Sequence, residues 1–199
     1  MDTDPVINVA RWLPRSSVNG PGERFVLWVQ GCPLHCPGCW NPETWSFAAN
    51  RLMAVSEVFN LIGESGPIDG VTFSGGEPFA QAQSLAVLAK RLKRDNVSLM
   101  AFTGFELDEL MDTERRQLLD MLDIVVTGRF KRAARVEGLT WRGSSNQVVH
   151  LLTSRHRGIQ FQDAQEKRAE VVISESGSTI LTGFPCPDLR RKLQTLNGE

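Results

Sequence analysis

The chain has 199 residues, with 22 Lys and Arg against 23 Asp and Glu for a formal net charge of -1. That length is enough for one domain with a real core. The balanced charge lacks the basic footprint of a nucleic-acid or anionic-membrane binder. No apolar run reaches the roughly 18 residues of a membrane span, and the start Met1-Asp2-Thr3-Asp4 is acidic rather than basic, so a cytoplasmic chain is expected, with no nucleic acid and no membrane as partners.

In chain order, Val6 to Ala10 reads as an edge strand and Asn19-Gly20-Pro21-Gly22 as a turn. Phe25 to Val29 is a continuous apolar run, as expected of a strand buried on both faces. It runs directly into Gly31-Cys32-Pro33-Leu34-His35-Cys36-Pro37-Gly38-Cys39-Trp40-Asn41, whose glycines and prolines exclude regular structure. Val55, Val58, Phe59 and Ile62 have helical spacing with Ser56 as N-cap. Val71-Thr72-Phe73 is a second buried strand, leading into Ser74-Gly75-Gly76-Glu77-Pro78. Leu85, Leu88, Ala89 and Leu92 mark a second helix, and Val97 to Phe102 a third strand ended by Thr103-Gly104. Helical segments around Leu107 to Met111 and Leu118 to Leu122 break near Thr113, and Ile124 to Val126 is a fourth strand.

Strand and helix alternate as in βαβ units, which implies an α/β fold with a parallel sheet and right-handed crossovers. A closed eight-unit barrel takes ~250 residues, so a partial, open βα barrel is expected. Beyond about residue 130 the alternation fades. Gln147 to Leu151, Val171 to Ile173 and Thr179 to Leu181 each read as strands, the last two as a hairpin around Ser176-Gly177. The expected organisation is a single domain over residues 1–199, with a core at 20–152 and a C-terminal extension at 153–199.

Three of the four cysteines fall within eight residues. In a reducing compartment such clustered thiols read as metal-binding or catalytic rather than as a disulfide framework. A closed zinc site takes four protein ligands, commonly as two separated pairs. Here His35, inside the same turn, is the fourth donor at hand and no second pair exists. Three thiolates suit instead a 4Fe-4S cluster with one iron left open, and an open position marks a catalytic centre.

Cys32-x-x-x-Cys36-x-x-Cys39 resembles the signature of the radical S-adenosylmethionine (SAM) superfamily, and Gly75-Gly76-Glu77-Pro78 resembles that superfamily's Gly-Gly-Glu-Pro motif. The resemblance implies that Cys32, Cys36 and Cys39 hold a 4Fe-4S cluster and are catalytic through it. It implies that SAM chelates the fourth iron, and that Gly75, Gly76 and Glu77 receive the SAM ammonium group. A carboxylate that only accepts hydrogen bonds suits that cation. Thr103, at the end of the third strand, is expected near the SAM ribose, since ligands of parallel sheets gather at strand C-termini.

Cys39-Trp40-Asn41-Pro42-Glu43-Thr44-Trp45, Phe73 to Phe79, Phe102-Thr103-Gly104-Phe105 and Trp141 to Gln147 narrow the resemblance to the activating enzymes of anaerobic ribonucleotide reductase, over roughly residues 20 to 152. This implies a 5'-deoxyadenosyl radical that abstracts hydrogen from a glycine of a glycyl radical partner. Trp40 and Asn41 join the cofactor-binding set, with Trp40 packing on adenine or on the loop itself. An external electron donor such as flavodoxin or ferredoxin is implied, because no second cysteine cluster exists. Ser144, Asn146 and Gln147 either line the substrate side or cap a loop.

The chain departs from the family in two places. Thr127-Gly128-Arg129-Phe130 stands where the subgroup has Asp-Gly-Pro-Phe, exchanging an acid for a base on a segment expected to meet the partner. The segment from about 155 onward, with Cys186 between two prolines, extends beyond the short activases. Two alternatives therefore stand beside the activase: a radical SAM enzyme acting on a small molecule or peptide, and a non-enzymatic metal-stabilised binding module. Arg129, Lys131, Arg132, Arg135, Arg155, His156 and Arg157 form either a face for an acidic partner or a solvated surface.

Overall fold

The computed structural model describes residues 4–161, 169–173 and 179–185, with Gly177, Leu189 and Lys192 as isolated positions. Among these residues a sheet of seven strands forms from β1 (Val6–Ser16), β2 (Arg24–Val29), β3 (Arg51–Ala54), β4 (Gly70–Gly75), β5 (Ser98–Phe102), β6 (Ile124–Thr127) and β7 (Val148–Leu151). Their order across the sheet is β3-β1-β2-β4-β5-β6-β7. β2, β4, β5 and β6 run parallel, while β1, β3 and β7 join antiparallel. A separate antiparallel pair, β8 (Ala169–Ile173) and β9 (Thr179–Gly183), is the expected hairpin; Ser176 of its turn lies outside the described residues, as does Cys186.

The expected parallel core is present, and the flanks differ. β1 is eleven residues long and lies inside the sheet, because β3 pairs with its first half and takes the edge. β3 has the sequence Arg-Leu-Met-Ala, with no alternation to announce it. β1 carries Pro14 at a register irregularity between Leu13 and Ser16, where a residue without an N–H is tolerated.

Three helices, α1 (Val55–Gly63), α2 (Ala82–Arg94) and α3 (Thr113–Leu119), cover one face of the sheet. Val58, Ile62, Leu85, Leu88, Leu92 and Leu118 pack there on Phe25, Leu27, Phe73 and Leu99. Ser56 is not the cap of α1. The cap position is Ala54, two residues earlier, where the Glu57 carboxylate accepts from the Ala54 N–H at 2.6 Å, and Ser56 N–H donates to Asp4 Oδ2 at 2.9 Å. Glu at the third helical position closing on the residue before the helix is half of a capping box, which works without a hydroxyl at the cap. The expected break before Thr113 is real, and Asp112 caps α3 by accepting from Arg115 N–H.

At the N-terminal ends of the parallel strands lies a buried guanidinium. Arg24, 0% exposed, donates to the carbonyls of Val71 at 2.8 Å and Ser98 at 3.0 Å and to the Thr72 hydroxyl at 2.7 Å, tying β2, β4 and β5 together. Burial lowers its pKa to about 10, which leaves it charged at neutral pH. From β2 its planar fork reaches acceptors on two further strands at once, and an ammonium cannot. Arg24→Lys is expected to lower stability by about 2 kcal/mol, as acceptors lose donors in a dry site. A urea midpoint equal to wild type would contradict this.

Candidate cluster and cofactor site

The C-terminal ends of β2, β4, β5 and β6 open into one cavity of about 520 Å³. This is the edge at which parallel sheets bind ligands, and the size lies in the roughly 300–1,000 Å³ range of small-molecule sites. Cys32, Cys36, Cys39, Trp40, Asn41, Gly75, Gly76, Glu77 and Thr103 all line it. The structure therefore brings together every residue that the sequence singled out for cluster and cofactor.

Two loops meet there. The cysteine loop leaves β2 at Gly31, where Gly31 N–H donates to Thr44 O at 2.8 Å and Cys32 N–H to Trp45 O at 3.0 Å. The Gly-Gly-Glu loop leaves β4, and its Gly76 and Glu77 N–H groups donate to the Val29 and Gly31 carbonyls, each at 2.8 Å. Gly75 has φ +101°, and a Cβ there would stand 2.5 Å from the Val29 nitrogen; a Cβ on Gly76 would strike the Gly31 carbonyl. The close approach that these glycines permit is thus made by the backbone of the cysteine loop itself. One motif sets the position of the other.

Glu77 is 1% exposed and fully engaged. Its Oε1 accepts from Phe79 N–H at 2.9 Å and from the Thr103 hydroxyl at 2.8 Å, and its Oε2 accepts from Gly104 N–H at 2.9 Å. Three donors aimed at one carboxyl suit its charged form, but burial outweighs them and raises its pKa to about 7. A cation entering the cavity would restore the balance. The Thr103 hydroxyl spends its proton on Glu77 and accepts from Phe105 N–H at 3.1 Å, so it keeps a single lone pair for a ligand.

Burial pushes the Cys32 thiol up, and the Cys36 thiol likewise, with Cys39 adding to both. Among the described residues no three His, Cys, Asp or Glu side chains are gathered as around a single ion. The donor set, three free thiols on one loop facing a cavity, is chemically that of a cluster with one iron left open. His35 is exposed, with its ring 5.0 Å from that of Trp45.

Around the thiols the loop is braced by contacts that the sequence did not bring forward. Asn41 N–H donates to Cys39 Sγ at 3.4 Å, and hydrogen bonds to ligand sulfur tune such centres. Arg11 on β1 holds Asn41 Oδ1 at 2.6 Å, pairs with Glu43 at 2.7 Å and lies 5.0 Å over the Trp28 ring. The Arg135 guanidinium covers Trp40 at 4.6 Å. Arg11 precedes the loop by twenty positions and Arg135 follows it by nearly a hundred, so no local spacing signals either.

The segment that departs from the family pattern is neutralised internally. Both Arg129 terminal nitrogens donate to Glu109, at 2.9 and 3.0 Å, and this pairing holds the Glu109 carboxyl down to about 2. Arg129 is thus paired but stays at the surface, its side chain 41% and that of Glu109 36% exposed. Asn146 Nδ2 donates to Arg129 O and Gln147 Nε2 to Gly128 O, while Gln147 Oε1 accepts from Gly143 and Ser144 N–H. Ser144 Oγ accepts from Lys131 N–H, so all three side chains secure loops.

The family described as "4Fe-4S single cluster domain" matches residues 18–150. The anaerobic ribonucleoside-triphosphate reductase-activating protein of Haemophilus influenzae is 33% identical over 152 residues, covering 72% of this chain and 97% of that protein. Its Escherichia coli K12 counterpart is 32% identical over 154 residues, covering 73% and 99%. That of phage T4 is 30% identical over 147 residues, covering 71% and 92%. Among solved structures, QueE from Escherichia coli gives a TM-score of 0.39 at 21% identity over 50% of this chain and 52% of that one, too slight a likeness to carry an argument. The chain belongs to the family of anaerobic ribonucleoside-triphosphate reductase-activating proteins, built on a 4Fe-4S single cluster domain.

Proposed function

We propose that this chain is a radical SAM activase that installs a glycyl radical on an anaerobic ribonucleotide reductase. The observation that carries the reading is the meeting of the cysteine loop and the Gly-Gly-Glu loop on one cavity at the C-terminal ends of the parallel strands. In this reading Cys32, Cys36 and Cys39 hold a 4Fe-4S cluster, and Gly75, Gly76, Glu77, Thr103, Trp40 and Asn41 hold SAM. Held by these residues, the cluster and SAM would supply one-electron reductive cleavage chemistry, by which a hydrogen atom would be removed from the partner's glycine.

The protein's own residues do the rest. Glu77, fixed by Phe79, Thr103 and Gly104, offers negative charge to the SAM ammonium. Asn41 N–H steadies the Cys39 sulfur, and Arg11 keeps Asn41 in place. The sheet is an incomplete barrel in this reading. The chain is one domain, with its chemistry in the core at 20–152 and an extension at 153–199. Reducing equivalents come from flavodoxin or ferredoxin in the cytoplasm, where thiols remain reduced.

The test is to mix the anaerobically reconstituted chain, reductant and SAM with the reductase and record the electron paramagnetic resonance spectrum. A glycyl radical doublet on the reductase is expected. SAM cleavage without that doublet would refute the partner and favour radical chemistry on a small molecule or peptide.

Glu77 makes SAM binding pH-dependent. Its pKa of about 7 in the free protein lies above the ordinary 4.5, so the folded chain holds the proton between those values, and an ammonium ligand expels it. SAM binding is expected to release about one proton at pH 6 and close to none at pH 8. Titration calorimetry in buffers of different ionisation enthalpy reads this directly, and heats independent of buffer at pH 6 would contradict it.

A further inference from the structure

One wall of the cavity lies outside the family match. That match ends at residue 150, and relatives aligned over 97% and 99% of their own length use 72% and 73% of this chain. The β8–β9 hairpin lies beyond it, pairs with no other strand among the described residues, and as a two-stranded unit is marginal in water without docking.

The docking is specific. Glu170 and Thr182 are opposite each other in the hairpin register. Glu170 accepts from Ser17 N–H at 2.8 Å and from the Ser16 and Ser17 hydroxyls, each at 2.7 Å. Thr182, 4% exposed, accepts from Asn19 Nδ2 at 2.9 Å. Val172 packs with Leu13, Val26 and Trp28, which lie outside the core cluster that the helices cover.

These fixings carry the chain after β9 to the thiols. Leu181, Phe184 and Pro185 line the same cavity as Cys32, Cys36 and Cys39. The Phe184 ring sits 5.9 Å from that of Phe102, at the end of β5. Arg135 Nη2 donates to Pro185 O at 3.1 Å while its guanidinium covers Trp40, the residue that follows Cys39. The extension thus reaches the cysteine loop through Pro185, Arg135 and Trp40 in succession.

We propose that this C-terminal hairpin is a built wall of the cofactor cavity: Phe184 closes its apolar side around SAM and the cluster, and Pro185 braces the exit of the cysteine loop through Arg135 and Trp40. The proposal rests on the reading of this cavity as the cluster and SAM site. Closing the site keeps water from a reactive intermediate, which an apolar ring does at no electrostatic cost.

The test uses full-length, anaerobically reconstituted wild type, Phe184→Ala, Phe184→Leu and Ile173→Thr. Ile173 is 70% exposed on the same hairpin and does not line the cavity. Two quantities are measured: the SAM dissociation constant by equilibrium dialysis, and the rate at which a water-soluble iron chelator strips the cluster. Phe184→Ala is expected to weaken SAM binding and to speed iron loss by about tenfold each, equivalent to about 1.4 kcal/mol. Phe184→Leu shifts both in the same direction by less, and Ile173→Thr shifts neither. Wild-type values in both Phe184 variants overturn the wall, and if Phe184→Ala does not fold, Phe184→Leu decides alone. Neither measurement needs the reductase, so a missing glycyl radical overturns the proposed partner and leaves the wall standing. A wild-type chain that assembles no cluster overturns both.

Discussion

Cys36→Ser is expected to leave the chain folded but without iron, sulfide or SAM cleavage. Cys36 is the variant to make because it is only half-buried, whereas Cys32 lies in the interior and its loss would mix cluster loss with misfolding. Serine matches the thiol in shape, but its hydroxyl does not ionise near neutral pH, and the ligand of iron is the thiolate. Loss of a mere outer partner of a metal ligand costs roughly 10–100-fold in affinity, and loss of one of three protein ligands costs more. The measurements are bound iron and sulfide after anaerobic reconstitution and 5'-deoxyadenosine formed on reduction with SAM. Burial holds the Cys32 and Cys36 thiols protonated in the free chain, so loading must expel protons and is expected to be more complete at pH 8 than at pH 6. A Cys36→Ser chain with wild-type iron content would refute the ligand assignment.

Glu77→Gln is expected to weaken SAM binding with little change in stability, because two large effects on the fold oppose each other. The amide puts an NH2 against a donor, at best the Gly104 N–H, and a buried unmet donor costs about 1–3 kcal/mol. Against this, the charge that burial disfavours is gone. A carboxyl with its pKa raised from 4.5 to about 7 destabilises the fold by about 3 kcal/mol once ionised. This penalty is absent below pH 4.5, grows as pH rises through 7 and is full above it, so at pH 7.5 the substitution is close to neutral for the fold. Ligand binding has no such offset. A charge-assisted hydrogen bond to the ammonium contributes about 1.5–3 kcal/mol, so the SAM dissociation constant is expected to rise roughly 10–100-fold, with a thermal midpoint near wild type. The variant also abolishes the proton release at pH 6. An unchanged dissociation constant would remove Glu77 from the binding site.

The two effects meet at the same backbone. Gly76 and Glu77 bond to Val29 and Gly31, so a disturbance on the Gly-Gly-Glu loop reaches the cysteine loop without passing through a ligand. A Cβ at Gly76 would collide with the Gly31 carbonyl, so a glycine there serves the joint between the loops. The Arg129 of the departing Thr127-Gly128-Arg129-Phe130 segment is paired with Glu109 at the surface, so the segment presents an ion pair rather than a lone base.

The sequence by itself determined the cysteine triplet, the Gly-Gly-Glu turn and the four parallel strands that carry them. In each case the reason is local. Ligands within eight residues are held near each other by the covalent chain, and a strand buried on both faces writes its burial as an unbroken apolar run such as Phe25 to Val29. What needed the tertiary structure joins residues far apart in sequence. β3 carries no alternation and becomes a strand only because β1 offers it a partner. Nothing in the spacing around Arg24 marks it as buried, and it is buried because three strand ends converge there. Thr103 reaches Glu77 across 26 residues, Arg135 reaches Pro185 across 50, and Ser16 reaches Glu170 across 154. Local spacing carries no record of contacts at such separations, since packing of the whole sheet brings those groups together. The thiols were therefore visible in the sequence, and the walls around them only in the fold.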